Sequence, residues 1–223
     1  MREHTIKVYQ YEELSDAAKE RAREWFREGT DNSWSEYTLE DAATCAEFLG
    51  INLRTRAVKL VSGATRYEPN IFFSGFCSQG DGACYEGMWQ ADKVNVEGLK
   101  EHAGVDEELH RIVDALAAIA AGYPEAYANL KHDGHYYHSG CMSVESESGI
   151  DSYSDEAPGE FERLEAVDQA FPEDTLIRLL RDFADWIYSQ LEKEYDYQNA
   201  DEQVAESIVA NEYDFLENGK RFR

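Results

Sequence analysis

Apolar positions recur every three or four residues through most of this chain and every second residue in its middle. Near the start, "TIKVYQY" (Thr5–Tyr11) alternates and predicts a strand. Behind a Ser15 cap, Leu14, Ala18, Ala22, Trp25 and Phe26 then fall on one helical face, which Gly29 and a polar run bring to an end. A second helix is predicted from about Trp34 to Leu49, with Ala42, Ala46 and Leu49 in one stripe and Gly50 closing it. "INLRTRAVKLV" (Ile51–Val61) sets Ile51, Leu53 and Thr55 against Asn52, Arg54 and Arg56, the pattern of one strand. "NIFFSGF" and "YEGMWQADKV" predict two more. Asp106 to Tyr123 reads as a helix with Leu109, Ile112, Val113, Leu116 and Ile119 inward.

"HYYHSGCMSVESE" (His135–Glu147) predicts a strand that runs out into a polar loop. Three helices follow. Phe161, Leu164, Val167 and Phe171 mark the first, and Pro172 with Glu173 and Asp174 opens the second, whose inner face is Leu176, Leu180, Phe183, Ile187 and Leu191. Asn199 with Glu202 offers a capping box for the third, which uses Val204 and Ile208. "YDFLENGKRF" predicts a hairpin or edge strand around Asn218-Gly219. Short turns rather than helical crossovers join the central strands, so they should pair antiparallel. The expected class is α+β: an antiparallel sheet with helices mainly packed on one face, and a helical, acidic C-terminal third. One domain is expected over residues 1–223, with the acidic helical subregion at about 158–213.

Charge changes the picture more than composition does. Apolar residues make up 43% and aromatics 13%, too much for an acidic disordered chain. Yet 46 acidic residues face 21 basic ones, a net charge of −25. Residues 1–60 carry 12 acidic and 9 basic side chains, residues 61–134 carry 12 and 5, and residues 135–223 carry 22 and 7. Such a field repels nucleic acid and anionic membrane and attracts basic protein surfaces, over a Debye length of about 8 Å at physiological salt. The expected partner is therefore a basic host protein or protein–nucleic acid complex, with no direct nucleic-acid or membrane binding. The apolar run around Ile112 to Gly122 is broken by Asp114 and is too short to span a bilayer. "MREHTIKVYQYEEL" has no signal-peptide core, so a cytoplasmic location is expected, with Cys45, Cys77, Cys84 and Cys141 as free thiols.

The least generic stretch is "FFSGFCSQGDGACYEGMW" (Phe72–Trp89). Gly80-Asp81-Gly82 between two β-like runs signals a hairpin turn. A phosphate cradle would need a following helix and a lysine, and neither is present. A calcium loop would need more oxygen ligands than Asp81 and Glu86. Six residues separate Cys77 from Cys84, too many for a zinc knuckle. On an extended strand His132 and His138 would stand about 20 Å apart with His135 on the opposite side, so a zinc centre is not expected, nor any other cofactor. A small metal- or thiol-dependent enzyme using Cys77, Asp81, Cys84, His135 or His138 is the alternative. The loop residues Ser78, Gln79, Asp81 and Glu86 remain candidates for contact with a ligand.

Three segments, "VYQYEELSDAAKERAREWFREG", "FFSGFCSQGDGACYEG" and "HYYHSG", resemble uncharacterised proteins of phages, prophages and plasmids, some labelled "antitoxin of toxin–antitoxin stability system". The resemblance implies the company of mobile elements, whose small proteins block host nucleases, restriction systems or CRISPR complexes. It brings no catalytic residues.

From Glu145 to Glu217 there are 22 acidic residues and four basic ones, Arg163, Arg178, Arg181 and Lys193. Rows of carboxylates on a helix repel one another, so density of this kind suggests a role beyond solubility. The expected partner-binding surface comprises Asp151, Asp155, Glu156, Asp182, Asp185, Glu192, Glu194 and Asp196, with Tyr188 and Tyr195 as aromatic anchors. Duplex DNA carries one charge per about 1.7 Å of axis, and such a surface can imitate it. The expected function is thus an acidic phage or mobile-element protein that binds and inhibits a basic, nucleic-acid-binding host defence complex. An antitoxin that neutralises a basic toxin is a second expectation.

Overall fold

The computed structural model of the chain describes residues 5–29, 32–150 and 160–222. Residues 1–37 with 191–223 form one compact unit and residues 38–190 another. In the first, α1 (Asp16–Gly29) buries Ala18 and Ala22 in a core shared with Tyr11, Leu14, Val204, Ile208 and Phe215. Trp25 and Phe26 sit half-buried at its edge, so the predicted face holds. The expected Thr5–Tyr11 strand does not form. Its pairing among the described residues is a single bridge from Tyr9 to Phe215, and Tyr11–Glu13 coils into a 3-10 turn. Alternation without a partner strand does not make a ladder.

The expected Asn199–Glu202 capping box is also absent. Ala200 precedes α7 (Asp201–Ala210), and the Asn199 amide donates instead to the Tyr195 carbonyl at 2.8 Å. Asp201 in the first turn suits the positive end of the helix dipole. Arg27 and Arg23 pair with it, and the Arg27 hydrogen bond holds its carboxyl below the usual range. The turn at Asn218-Gly219 forms as expected: the Gly219 N–H donates to Leu216 O and the Leu216 N–H to Lys220 O, both at 2.8 Å.

The second unit is built on an antiparallel four-stranded sheet. Its strands are β1 (Ile51–Leu53), β6 (Gly87–Gln90), β7 (Tyr127–His132) and β8 (Met142–Glu147), in that spatial order. One register row runs Ile51, Trp89, Ala128 and Ser146, and the next Leu53, Gly87, Leu130 and Val144. Ile51, Trp89, Ala128 and Leu130 in these rows are fully buried, while Asn52, Asn129 and Glu145 point to the other face. The sheet is thus packed on one side and wet on the other. The sequence pattern missed β7, the short helix α3 (Val96–His102) and a further strand over Thr65–Pro69.

Between β1 and β6 lie four further strands: β2 (Thr55–Lys59) paired with β3 (Thr65–Pro69), and β4 (Ile71–Ser74) paired with β5 (Gly82–Tyr85). The segment read as one strand, Ile51–Val61, therefore breaks at Arg54, and "YEGMWQADKV" breaks at Glu86. Three backbone hydrogen bonds explain both breaks. The Arg54 N–H donates to Glu86 O (2.9 Å), the Glu86 N–H to Asn70 O (2.9 Å), and the Asn70 N–H to Arg54 O (2.7 Å). This closed ring satisfies all six groups and lets three two-stranded arms diverge from one point. The Asn70 side-chain amide reinforces it, donating to Glu86 Oε2 at 2.8 Å.

Helices cover the apolar side of the sheet. α2 (Glu36–Phe48) buries Ala42, Cys45 and Ala46, and α4 (Glu107–Gly122), capped by Asp106, buries all five of its predicted residues. α5 (Glu160–Gln169) precedes α6 (Glu173–Asn199), whose buried face carries Leu176, Leu180, Phe183 and Ile187 as expected. Within the unit α6 is tied down by polar contacts. The Tyr85 hydroxyl donates to Leu180 O (2.8 Å), the Trp186 indole to Asp106 Oδ2 (2.8 Å), and Arg111 reaches Asp182 at 2.6 Å. The α+β class with antiparallel sheets and a helical C-terminal region is as expected.

Replacing Asn70 by alanine removes the side-chain brace of the ring and leaves a Glu86 oxygen without its donor. Urea denaturation should show a loss of about 1–3 kcal/mol for Asn70→Ala, against less than about 0.5 kcal/mol for Lys59→Ala on the exposed arm. Equal effects would show that the ring is not a point of special stability.

Candidate functional site

The β4–β5 arm ends in the loop that stood out in the sequence. Ser74 pairs with Gly82, so residues 75–81 form the connection of a hairpin. Asp81 organises it from inside. Its Oδ2 accepts the N–H of Ser78 (2.6 Å) and of Cys77 (3.0 Å), and its own N–H donates to Ser78 O (3.1 Å). The Ser78 and Cys77 donors stabilise the carboxylate and lower the Asp81 pKa below its ordinary 3.8. Phe76 stacks on Tyr188 with 5.3 Å between centroids, and the Tyr188 hydroxyl donates to Gly75 O at 3.1 Å. Cys77, Ser78 and Gln79 stay exposed at the tip.

A second distinctive segment lies directly on this hairpin. His135 to His138 belong to no strand, a correction to the extended reading, because β8 begins only at Met142. A Cβ built on Gly82 would stand 2.4 Å from His138 Cβ and 2.9 Å from Tyr137 O, and one on Gly80 would meet the Tyr136 ring at 3.0 Å. The glycines therefore serve a close approach as well as a turn. Phe72 stacks on Tyr137 (5.5 Å, 17°) and lies 5.1 Å from the Arg56 guanidinium. Two stretches some 50 residues apart in sequence thus make one surface.

Its thiol and imidazole groups have defined roles. The Gly140 N–H donates to His138 Nδ1 at 3.0 Å, so the neutral ring carries its proton on Nε2. Nε2 faces Cys141 Sγ at 3.5 Å. A proton already on Nε2 prevents His138 from taking one from Cys141 while the Gly140 bond stands. The pair is arranged as ring donor and sulfur acceptor, not as base and nucleophile. Burial pushes the nearby Cys84 thiol up to about 12, with Cys141 and Glu86 adding to the shift. Glu86 is occupied by the Asn70 amide and belongs to the three-strand ring rather than to an open loop.

The acidic positions divide. Asp151, Asp155 and Glu156, with the aromatic Tyr153, lie outside the described residues. Asp182 pairs with Arg111, Glu194 is half-buried and accepts from Gln198, and Tyr188 is engaged by the hairpin. Tyr195 meets Trp34 edge-on at 5.7 Å. Asp185, Glu192 and Asp196 are exposed and make no ion pair among the described residues. Beyond the acidic third, Glu40, Glu47, Glu97, Glu101 and Glu107 are likewise exposed on α2, α3 and α4.

One grouping escaped the sequence reading. Asp41 and Cys45 on α2 and His102 at the end of α3 bring ligand-type atoms within 4.8 Å of one another. The four-residue spacing of Asp41 and Cys45 on a predicted helix was the available signal; His102 comes from 57 residues further on. Burial, with Asp41 and Asp106 nearby, raises the Cys45 thiol to about 12.

Residues 34–201 match the family described as a domain of unknown function, DUF8835. The chain belongs to that family. No curated protein and no solved structure matches it. The DUF8835 region contains the whole unit of residues 38–190, hence both converging loops and the Asp41–Cys45–His102 group.

Two outcomes test this site. Gly82→Ala should destabilise the protein by about 1–3 kcal/mol, because the added methyl meets backbone and Cβ atoms that have no room to move; wild-type stability in chemical denaturation would refute the close approach. Asp81→Asn should lower thermal stability at neutral pH. Because the folded pKa is depressed, the carboxylate stabilises above 3.8 and loses this effect as pH falls through its lower folded value. The gap between wild type and Asp81→Asn should therefore close in a pH series carried below that point.

Proposed function

We propose that this protein is an acidic interaction protein that binds a basic, nucleic-acid-binding complex of the restriction or CRISPR type and occupies the surface where the polyanion would lie. The observation that carries the reading is the state of the charges rather than their total. Residues 38–190 hold 28 acidic and 11 basic side chains. Six of those eleven cations are paired locally: Arg111 by Glu108 and Asp182, Lys100 by Asp114, Lys93 by Asp92, Lys131 by Glu145, and Arg56 and Arg66 by Glu68. What faces solvent is an excess of carboxylates held on helices, with neighbours such as Glu97 and Glu101 one turn apart. Pairs of that kind cost a few tenths of a kcal/mol each. A basic partner turns the same repulsion into attraction and speeds encounter. The resemblance to proteins of mobile elements supports a host-defence partner over other basic proteins.

The reading predicts competition. With a purified restriction endonuclease and a CRISPR effector complex as probes, the protein should displace labelled DNA from at least one. The inhibition constant should weaken by about tenfold or more between 50 and 200 mM salt. Reversals tested separately, Asp185→Lys and Glu192→Lys/Asp196→Lys, should weaken it further without altering the circular dichroism spectrum. Failure to displace DNA at low salt, or displacement indifferent to salt, would remove the basis for polyanion imitation.

A further inference from the structure

Asp41 and Cys45 stand four residues apart on α2, so their side chains rise from one helical face. His102 arrives beside them from α3, with Nε2 2.7 Å from Asp41 Oδ1. Among the described residues no other three His, Cys, Asp or Glu side chains gather so closely. An ordinary surface ion pair accounts for Asp41 and His102 alone. It gives no role to the thiol that lies with them.

We propose that Asp41, Cys45 and His102 bind a late first-row divalent cation of the zinc class. The donor set selects the class: a thiolate and an imidazole nitrogen suit zinc, whereas calcium and magnesium take oxygen ligands. The layout suits it as well. Cys45 is fully buried at the base, while the His102 and Asp41 side chains are 35% and 52% exposed at the mouth. A cation has access from solvent, and three protein ligands leave the fourth tetrahedral position to water. Zinc–sulfur and zinc–nitrogen bonds of about 2.3 and 2.0 Å set tetrahedral ligand atoms about 3.5 Å apart. The 2.7 Å Asp41–His102 contact therefore opens on binding, while the wider separations, all within 4.8 Å, close around the cation.

The surroundings favour positive charge. Asp106 acts electrostatically on Cys45, yet its own oxygens are taken by the Leu109 N–H (3.0 Å) and the Trp186 indole (2.8 Å). It is a fixed negative neighbour rather than a fourth ligand. Binding exchanges protons without redox change: Cys45 releases its thiol proton to solvent, and the Nε2 proton that His102 now gives to Asp41 Oδ1 leaves to solvent. The neutral ring keeps its one proton on Nδ1 and binds the cation through Nε2.

The test uses the full chain, stripped with a chelator and titrated with Co²⁺ and then Zn²⁺. One Co²⁺ per chain should bind, with a thiolate-to-cobalt charge-transfer band in the near ultraviolet that Zn²⁺ abolishes. Cys45→Ser should remove the band. His102→Asn and Asp41→Asn, at exposed positions that leave the core intact, should weaken binding by more than about 100-fold, beyond the usual loss from removing a supporting residue. Cys84→Ser and Cys141→Ser should change nothing. Absence of a stoichiometric band, its persistence in Cys45→Ser or His102→Asn, or its loss in Cys141→Ser would overturn the assignment.

Discussion

Three backbone hydrogen bonds among Arg54, Asn70 and Glu86 decide how the unit of residues 38–190 is laid out. A strand that continued through any of these positions would pair with one neighbour along its whole length. Each strand instead changes partner there, and no N–H or C=O of the ring is stranded by the change. One arm, β1 with β6, becomes part of the four-stranded sheet. Another, β4 with β5, carries the Asp81 loop to the His135–Cys141 segment. The third, β2 with β3, carries largely exposed residues. The convergence of the two distinctive loops is thus a consequence of where the strands part.

How much of this was legible follows from the range of each interaction. Helical faces such as Leu109, Ile112, Val113, Leu116 and Ile119 are local patterns, and the structure buries all five. The strand breaks at Arg54 and Glu86 were not legible, since Ile51, Leu53 and Thr55 alternate straight through the junction and the cause lies in residues up to 32 positions away. β7 was missed because "YANLKH" carries small Ala128 where a larger apolar residue would have marked the inward face. Thr5–Tyr11 failed the opposite way: it has the alternation and lacks the partner.

The candidate site divides along the same line. The loop was visible as a turn because Gly80, Asp81 and Gly82 are contiguous. That His138 and Tyr136 press on those glycines depends on β7 and β8, one of which the pattern did not show. The acidic surface was visible as a sum but not in detail. Asp182 reads like Asp185 in the sequence, yet Arg111 from α4 pairs with the first and leaves the second exposed.

These placements also explain how a chain with so large a net charge keeps a well-packed interior. Its apolar groups are gathered under the sheet and within the α1–α7 core, where burial contributes about 25 cal/mol per Å² of apolar surface. Its cations are set where elements meet, Arg111 between α4 and α6 and Arg23 and Arg27 at the start of α7, and there they offset carboxylates that would otherwise repel across a junction. The carboxylates left over, Glu97, Glu101, Asp185, Glu192 and Asp196 among them, lie on outward faces where water screens them. Stability therefore asks little of those positions. A surface released from that demand can keep its charge for a partner, provided the partner brings the cations that the chain itself withholds.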